Sequence, residues 1–180
     1  ITCLVVEDPF VWDVLPVADR LIVACGSDAL ALEPGSMKWT RIDLEDGTGK
    51  PPSPGRRWLA SDVDGTVWMG LDLVRIMHFD PLTGKGITHA PDSTRPGALR
   101  HDNAYGAVSM PDGKTWFCGN LHGLTYFDAR TGQWTDLRAD VAERRLRVGR
   151  IVGMAAGSDS VLWLASDGAG LVRYHIPSAT

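Results

Sequence analysis

One segment occurs four times along this 180-residue chain at a nearly constant spacing. Each copy has a polar turn with Asp, a short apolar run and a small side chain near its end. The copies are Asp19–Ala24, Asp64–Gly70, Asp112–Cys118 and Asp159–Ala165. The run carries Trp68, Trp116 and Trp163, which are 48 and 47 positions apart, and Ile22 lies 46 positions before Trp68. A period in this range predicts a repeat architecture, in which each unit is stable only against its neighbours.

Two further short segments follow in each repeat. The second segment is clearest at Ile76–Gly84 and Thr125–Gly132, and the third at Trp39–Ile42 and Trp134–Leu137. All are rich in aromatic and β-branched residues and are separated by turn residues, and no helical period persists. Four short strands in such a repeat are typical of a β-propeller blade. We therefore predict an all-β chain of four blades, each of four antiparallel strands, in one domain over 1–180. The approximate blades are 5–44, 56–91, 103–138 and 150–180, the last completed by strand 1–4.

The two ends of the chain leave the closure of the ring open. The last blade stops near Thr180, where its outer strand would begin, and Ile1–Leu4 is similar to the outer strand Trp39–Ile42. An N-terminal strand that completes the last blade would close a four-bladed ring and remove an exposed edge. The same boundaries would arise in a part of a larger propeller, or in two half-rings that form a homodimer. The sequence does not decide among these arrangements.

Composition excludes some classes of function. Apolar residues make up 44% and charged residues 22%, which is the range of globular domains. The net charge of −4 argues against a nucleic-acid partner, because binding phosphates needs a basic face. No apolar run is long enough for direct membrane insertion. We expect the thiols of Cys3, Cys25 and Cys118 to be buried and free, with a Cys3–Cys25 disulfide as the alternative.

Two stretches resemble the two-component regulator propeller repeat. They are 103–119 and 153–174, and both carry a Trp followed two positions later by a small residue. The first stretch has the Asp-Gly turn before its Trp, and the second has a Gly-Leu step before the aromatic residue Tyr174. The resemblance covers three of the four repeats, since the repeat around Ile22 lacks the Trp. It implies a sensory, ligand-binding module of a larger extracytoplasmic (periplasmic) bacterial receptor, with that receptor's other domains as partners.

The repeat is also similar to that of streptogramin lyases and lactonase-type propellers. Those enzymes hold a metal ion or a general base on charged residues at the central axis. The sequence has neither a His-x-His pair nor a regularly spaced inward Glu. We therefore predict no catalytic residue, and a lyase or lactonase activity stays an alternative, as does a platform for protein–protein interaction.

Candidate binding residues lie in the loops that join the second and third strands of the blades. Asp72, Asn120 and Asp167 each follow the repeated Trp by four residues, and His122 is close to Asn120. A ring of such oxygen atoms would suit a calcium ion. The simpler explanation is that Asp and Asn favour tight turns, so we predict no metal site and no other cofactor.

The links between blades carry a second set of candidates, which are basic and aromatic. They are Arg57, Trp58, Arg100, His101, Tyr105 and Arg150. Guanidinium groups and aromatic faces suit carboxylated or sulfated sugars and acidic peptides, so we predict a small molecule or an oligosaccharide as partner. The alternative is a solvated surface whose charges are balanced by neighbouring Asp and Glu. The turn Asp62–Gly65 resembles the start of a calcium loop, but we interpret it as a hairpin turn, and His78 and His175 as packed or edge residues.

Overall fold

The computed structural model describes residues 10–26, 28–45, 58–71, 75–100, 104–119, 124–137 and 149–176. This part of the chain forms strands and turns, and it contains no helix. The first sheet has strands β1 (Val11–Val17), β2 (Arg20–Cys25), β3 (Asp28–Glu33) and β4 (Lys38–Ile42). The second has β5 (Leu59–Ser61), β6 (Val67–Gly70), β7 (Ile76–Phe79) and β8 (Gly86–His89). The third has β9 (Ala104–Ser109), β10 (Lys114–Gly119), β11 (Leu124–Asp128) and β12 (Gln133–Asp136), and the fourth has β13 (Ile151–Ser158), β14 (Val161–Ser166) and β15 (Gly170–His175).

Every sheet is an antiparallel meander in which consecutive strands pair. The predicted all-β class with propeller-like sheets is confirmed. In the described residues the fourth sheet has three strands rather than the predicted four, and Ile1–Leu4 lie outside those residues. Strands β1, β5, β9 and β13 contact one another in chain order. Within the described part of the chain no comparable contact joins β13 to β1, so these sheets form a row in which no closed ring is detected.

The repeated Asp residues form the turns at one edge of the sheets, which we call the turn face. In the β5–β6 turn the Asp64 carboxylate accepts a hydrogen bond from the Thr66 backbone N–H, and Gly65 has a φ of 86°. In the β9–β10 turn Asp112 and Gly113 do the same, with a φ of 81°. A left-handed backbone favours Gly, and a short Asp side chain closes such a turn. The opposite edge, which we call the loop face, carries the loops between second and third strands and the links between sheets.

Three apolar clusters lie between neighbouring sheets. Trp68 is fully buried where the second sheet meets Phe117 and Trp134 of the third, and Trp116 is 2% exposed beside Tyr174 of the fourth. Burial of a Trp side chain contributes about 4–6 kcal/mol of apolar transfer free energy. Trp163, at the same position of the fourth sheet, is 38% exposed. The third and fourth sheets therefore each bury the repeated Trp of the sheet before them.

The small residue that ends the repeated segment leaves room for a large residue on the neighbouring strand. A Cβ atom built on Gly70 would lie 2.5 Å from Nε1 of Trp58, just before β5. In the third sheet the order is reversed: the glycine, Gly106, is on the first strand, β9, and the larger residue, Cys118, lies opposite it on the second strand, β10. The large and the small residue therefore compensate each other across the first two strands.

Candidate functional site

Three residues of the second sheet bring metal-type donor atoms together at the turn face. Asp62 follows β5, Asp64 lies in the β5–β6 turn and His78 lies on β7. One donor atom from each residue lies within 4.8 Å of the other two, and we call these residues the Asp–His cluster. Asp62 and His78 are partly buried, and Asp64 is exposed. The cluster thus has one side in the protein and one side toward solvent.

Hydrogen bonds hold the buried side of the cluster in place. Oδ2 of Asp62 accepts a hydrogen bond of 2.7 Å from Nε1 of Trp68, and a longer one of 3.4 Å from the hydroxyl of Thr115 in the third sheet. The same oxygen lies 3.4 Å from Nε2 of His78. The Thr66 hydroxyl lies 2.6 Å from that nitrogen and donates to Asp64. The two carboxylates and the imidazole are therefore connected through fixed partners.

The indole of Trp68 also orients the imidazole of His78. The two rings stack with centroids 3.9 Å apart and planes 4° from parallel. Burial lowers the pKa of His78 below its ordinary value, although the carboxylates of Asp62 and Asp64 act in the opposite direction. Burial also raises the pKa of Asp64, but hydrogen bonds from Thr66 and the charge of His78 outweigh it, so the net shift is downward. A neutral imidazole next to ionised carboxylates is the form in which these groups ligate metals.

A second histidine of the same sheet also contacts Trp68. His89 of β8 is packed against Trp68 and Phe127, and its Nδ1 accepts a hydrogen bond of 3.2 Å from Nε1 of Trp134. That bond requires a lone pair on Nδ1 and therefore a neutral ring. Burial lowers the pKa of His89 to about 4, with smaller contributions from His78 and Arg95. His89 thus ties the second sheet to the third only while it carries no charge.

The Asp–His cluster is a departure from the repeat that sequence reasoning missed. Relative to the repeated Trp, Met110 and Gly157 take the place of Asp62 in the third and fourth sheets. On the neighbouring strand the residue opposite the Trp is His78 in the second sheet, but Tyr126 and Arg173 in the other two. Aligning the repeats and asking where two polar departures coincide would have found the pair.

Two of the predicted loop-face residues come together in the fourth sheet. Nη2 of Arg150 lies 2.9 Å from Oδ2 of Asp167, and the Asp167 backbone N–H donates to the Arg150 carbonyl. They border an open depression of about 460 Å³ whose floor includes the exposed apolar residues Val152 and Leu171. Ser166 also lines it, and its hydroxyl is buried with no hydrogen-bond partner among the described residues. A guanidinium and apolar side chains thus lie at this surface, with a polar hydroxyl beneath it, as in sites that bind polar ligands.

The other predicted site residues are more scattered. Trp58 is 8% exposed, and its indole donates a hydrogen bond of 2.7 Å to the Ala104 carbonyl, which links the second and third sheets. Tyr105 packs against the cluster between the third and fourth sheets, and Arg100 is exposed. A further five lie outside the described residues: Arg57, Asp72, His101, Asn120 and His122. The binding roles of all these residues, and the calcium alternative, stay predictions.

Of the cysteines, Cys25 and Cys118 are buried, and Cys3 lies outside the described residues. Cys118 is a free thiol, and burial raises its pKa to about 12. It therefore stays protonated at neutral pH, where the reactive form of a cysteine is the thiolate.

No protein-family model matches the sequence, and no curated protein matches it. Several solved structures, however, match the fold of the chain. The chain superposes on the extracellular domain assigned to a hybrid two-component system of B. thetaiotaomicron with a TM-score of 0.75 and 14% identity. A second match is the extracellular domain assigned to a one-component system of the same organism, with a TM-score of 0.64 and 16% identity. A third is YCF48 bound to D1 peptide, with a TM-score of 0.64 and 17% identity.

These matches cover 94%, 93% and 92% of this chain, but only 24%, 24% and 50% of the respective neighbours. The chain thus spans about a quarter of the length of the two sensor domains that it resembles. At this level of identity the likeness shows a propeller-like fold. In the described residues no helix has the length and apolar character needed to cross a membrane.

Proposed function

We propose that this chain is a ligand-binding, sensory part of a larger extracytoplasmic propeller receptor, and that it binds an anionic small molecule or oligosaccharide at its loop face. The Arg150–Asp167 pair above the depression of the fourth sheet is the observation that carries the proposal. Support for the receptor context comes from the sensor extracellular domains, whose fold the chain shares over 94% and 93% of its own length. In that context the chain is one section of a ring with more sheets.

The chemistry of the depression favours an anionic ligand with an apolar side. The Arg150 side chain is 46% exposed, so part of its guanidinium is open to a second carboxylate. Among the described residues the Ser166 hydroxyl has no partner, and a buried polar group without a partner costs stability. The apolar floor of Val152 and Leu171 suits the C–H face of a sugar ring. A uronic acid offers all three complementary features in one residue.

The proposal is tested by calorimetric titration of the purified chain with a trisaccharide of galacturonic acid and with the neutral trisaccharide maltotriose. We expect binding of the acidic sugar only. Substitution Arg150→Ala removes a charge-assisted hydrogen bond and should weaken binding about 10-fold or more. The matched control is Arg173→Ala, which removes an exposed arginine of the same sheet and should leave affinity unchanged.

Two results would contradict the proposal. Equal loss in both variants would mean that the sugar responds to overall charge and not to this depression. Failure of the acidic sugar to bind, together with capture of a defined protein partner by the same chain, would favour the interaction platform instead.

A further inference from the structure

We propose that Asp62, Asp64 and His78 form a binding site for a divalent transition-metal ion, zinc above all, at the turn face of the second sheet. This site lies at the opposite edge of the sheets from the Arg150–Asp167 depression and does not depend on the function proposed for it.

The donor set is suited to zinc. One imidazole nitrogen and two carboxylate oxygens come from three residues within 4.8 Å of one another. Zinc binds His nitrogen and Asp oxygen and commonly takes three protein ligands with a further position left for water or another oxygen. The Thr66 hydroxyl lies 2.6 Å from Nε2 of His78 and donates to Asp64, so a further oxygen atom is close to the three donors. Calcium and magnesium prefer more ligands and only oxygen, so the imidazole disfavours them.

The supporting contacts needed by a metal site are present. Asp62 is fixed by the indole N–H of Trp68, and the His78 ring is fixed by stacking on the same indole. Groups that orient metal ligands in this way typically change metal affinity 10- to 100-fold, roughly, when they are removed. The ligands therefore need little rearrangement to close around an ion.

The cluster also has access to solvent. Asp64 and Thr66 line a cavity of about 380 Å³ between the first and second sheets, at the turn face. Asp19 and Asp80 line the same cavity, and their carboxylates offset the charge of its one arginine, Arg20. Such a lining raises the local concentration of cations and gives an ion a route to the cluster.

The repeat shows that the fold does not require these residues. The third sheet has the same strands and the same turn with Met110 and Tyr126 in place of Asp62 and His78. The buried Met110 of the third sheet shows that strands and turn of this kind form without a carboxylate at that place. The two departures occur together in one repeat and face each other, which is the pattern expected of a binding site.

The test is calorimetric titration of the whole chain with zinc alone, followed by cobalt as a spectroscopic substitute. We expect one binding event whose affinity falls about 10-fold or more in His78→Phe and in Asp64→Asn. Phenylalanine keeps an aromatic ring on Trp68, and asparagine keeps the turn hydrogen bond. The matched control is Asp112→Asn, which alters the corresponding turn of the third sheet and should bind zinc like the unmodified chain. Bound cobalt should give the visible absorption of a low-coordinate site in the control and lose it in His78→Phe.

Zinc should also raise the melting temperature of the unmodified chain and of Asp112→Asn, because an ion that binds only the folded state stabilises it. Melting curves without metal show whether each variant folds. The proposal is overturned if the unmodified chain binds no zinc, or if folded His78→Phe binds it as tightly as Asp112→Asn does.

Discussion

The second and third sheets have the same repeat, strand order and turn, yet their interiors differ in polarity. Both place a buried Trp on the second strand, Trp68 and Trp116, against the sheet that follows. Nε1 of Trp68 donates to the Asp62 carboxylate, whereas Nε1 of Trp116 is buried and has no partner within the part of the chain that the structure describes. The second sheet carries His78 on its third strand and His89 on its fourth, and the third sheet has Tyr126 on its third strand and Leu137 just after its fourth at the corresponding positions.

This comparison distinguishes the positions that stabilise a sheet from the positions that could bind a ligand or a metal ion. The positions that the sheets share are the Trp, the turn Asp and the turn Gly, and they supply packing and chain reversal. The positions that differ bring the carboxylate of Asp62 and the imidazoles of His78 and His89 to one sheet only. The predictions below test this division, from the largest expected effect to the smallest.

The largest effect should come from loss of the repeated Trp. We expect Trp116→Ala to cost about 3–5 kcal/mol of unfolding free energy, since it empties a buried site between two sheets. Trp68→Ala should cost at least as much, because it also leaves the Asp62 carboxylate without its indole donor. Trp163→Ala, at a 38% exposed site, should cost clearly less than either. Urea unfolding measures the unfolding free energy of all three variants. An equal loss at the three positions would contradict the arrangement in which the following sheet covers Trp68 and Trp116 and leaves Trp163 partly exposed.

The second effect is a loss of stability at acidic pH. His89 has a pKa of about 4 in the folded state against 6.5 for the free side chain. Above pH 6.5 the group is neutral in both states. As the pH falls from 6.5 to 4 the unfolded chain takes up a proton that the folded chain refuses, so the unfolding free energy should fall by about 3 kcal/mol. Below pH 4 this contribution stops changing.

His89→Leu, which copies Leu137 of the third sheet, should remove that part of the pH dependence. The slope of stability against pH is the relevant quantity, because the substitution also takes the acceptor from Trp134 and changes the absolute stability. An unchanged slope between pH 6.5 and 4 would show that His89 is not buried in its neutral form.

A smaller effect should follow from adding one methyl group to a strand. Gly70→Ala would place its Cβ 2.5 Å from the Trp58 ring and should cost about 1–3 kcal/mol through overpacking. Gly106→Ala is the matched control, since its Cβ would meet only Cys118 Sγ, at 3.9 Å. That control should lie within about 1 kcal/mol of the unmodified chain, or be more stable, because Ala loses less conformational entropy than Gly. Thermal unfolding measures the loss of stability in each variant. An equal loss in Gly106→Ala and Gly70→Ala would argue against the close packing of Trp58 on Gly70.

The features that could be predicted from the sequence are those that recur at the spacing of the repeat. The Trp spacing and the Asp-Gly turns gave the strands and the all-β class, since a blade repeats its packing positions along the chain. It did not predict the Asp–His cluster, because Asp62 and His78 are 16 residues apart and meet only when strands β5, β6 and β7 pair. Of the loop-face candidates, Arg150 and Asp167 do meet. Trp58 is instead buried between sheets, because the link that carries it also supplies a large ring to fill the space above Gly70.

The most direct test of the contrast between the two sheets is a pH titration of the imidazole signals by NMR spectroscopy, with His78→Phe and His89→Leu to assign them. The structure predicts that His89 titrates at about 4 and that His78 titrates below its ordinary value of 6.5. If both imidazoles titrate at or above 6.5, then the histidines are solvated, and the second sheet has no buried polar layer to distinguish it from the third.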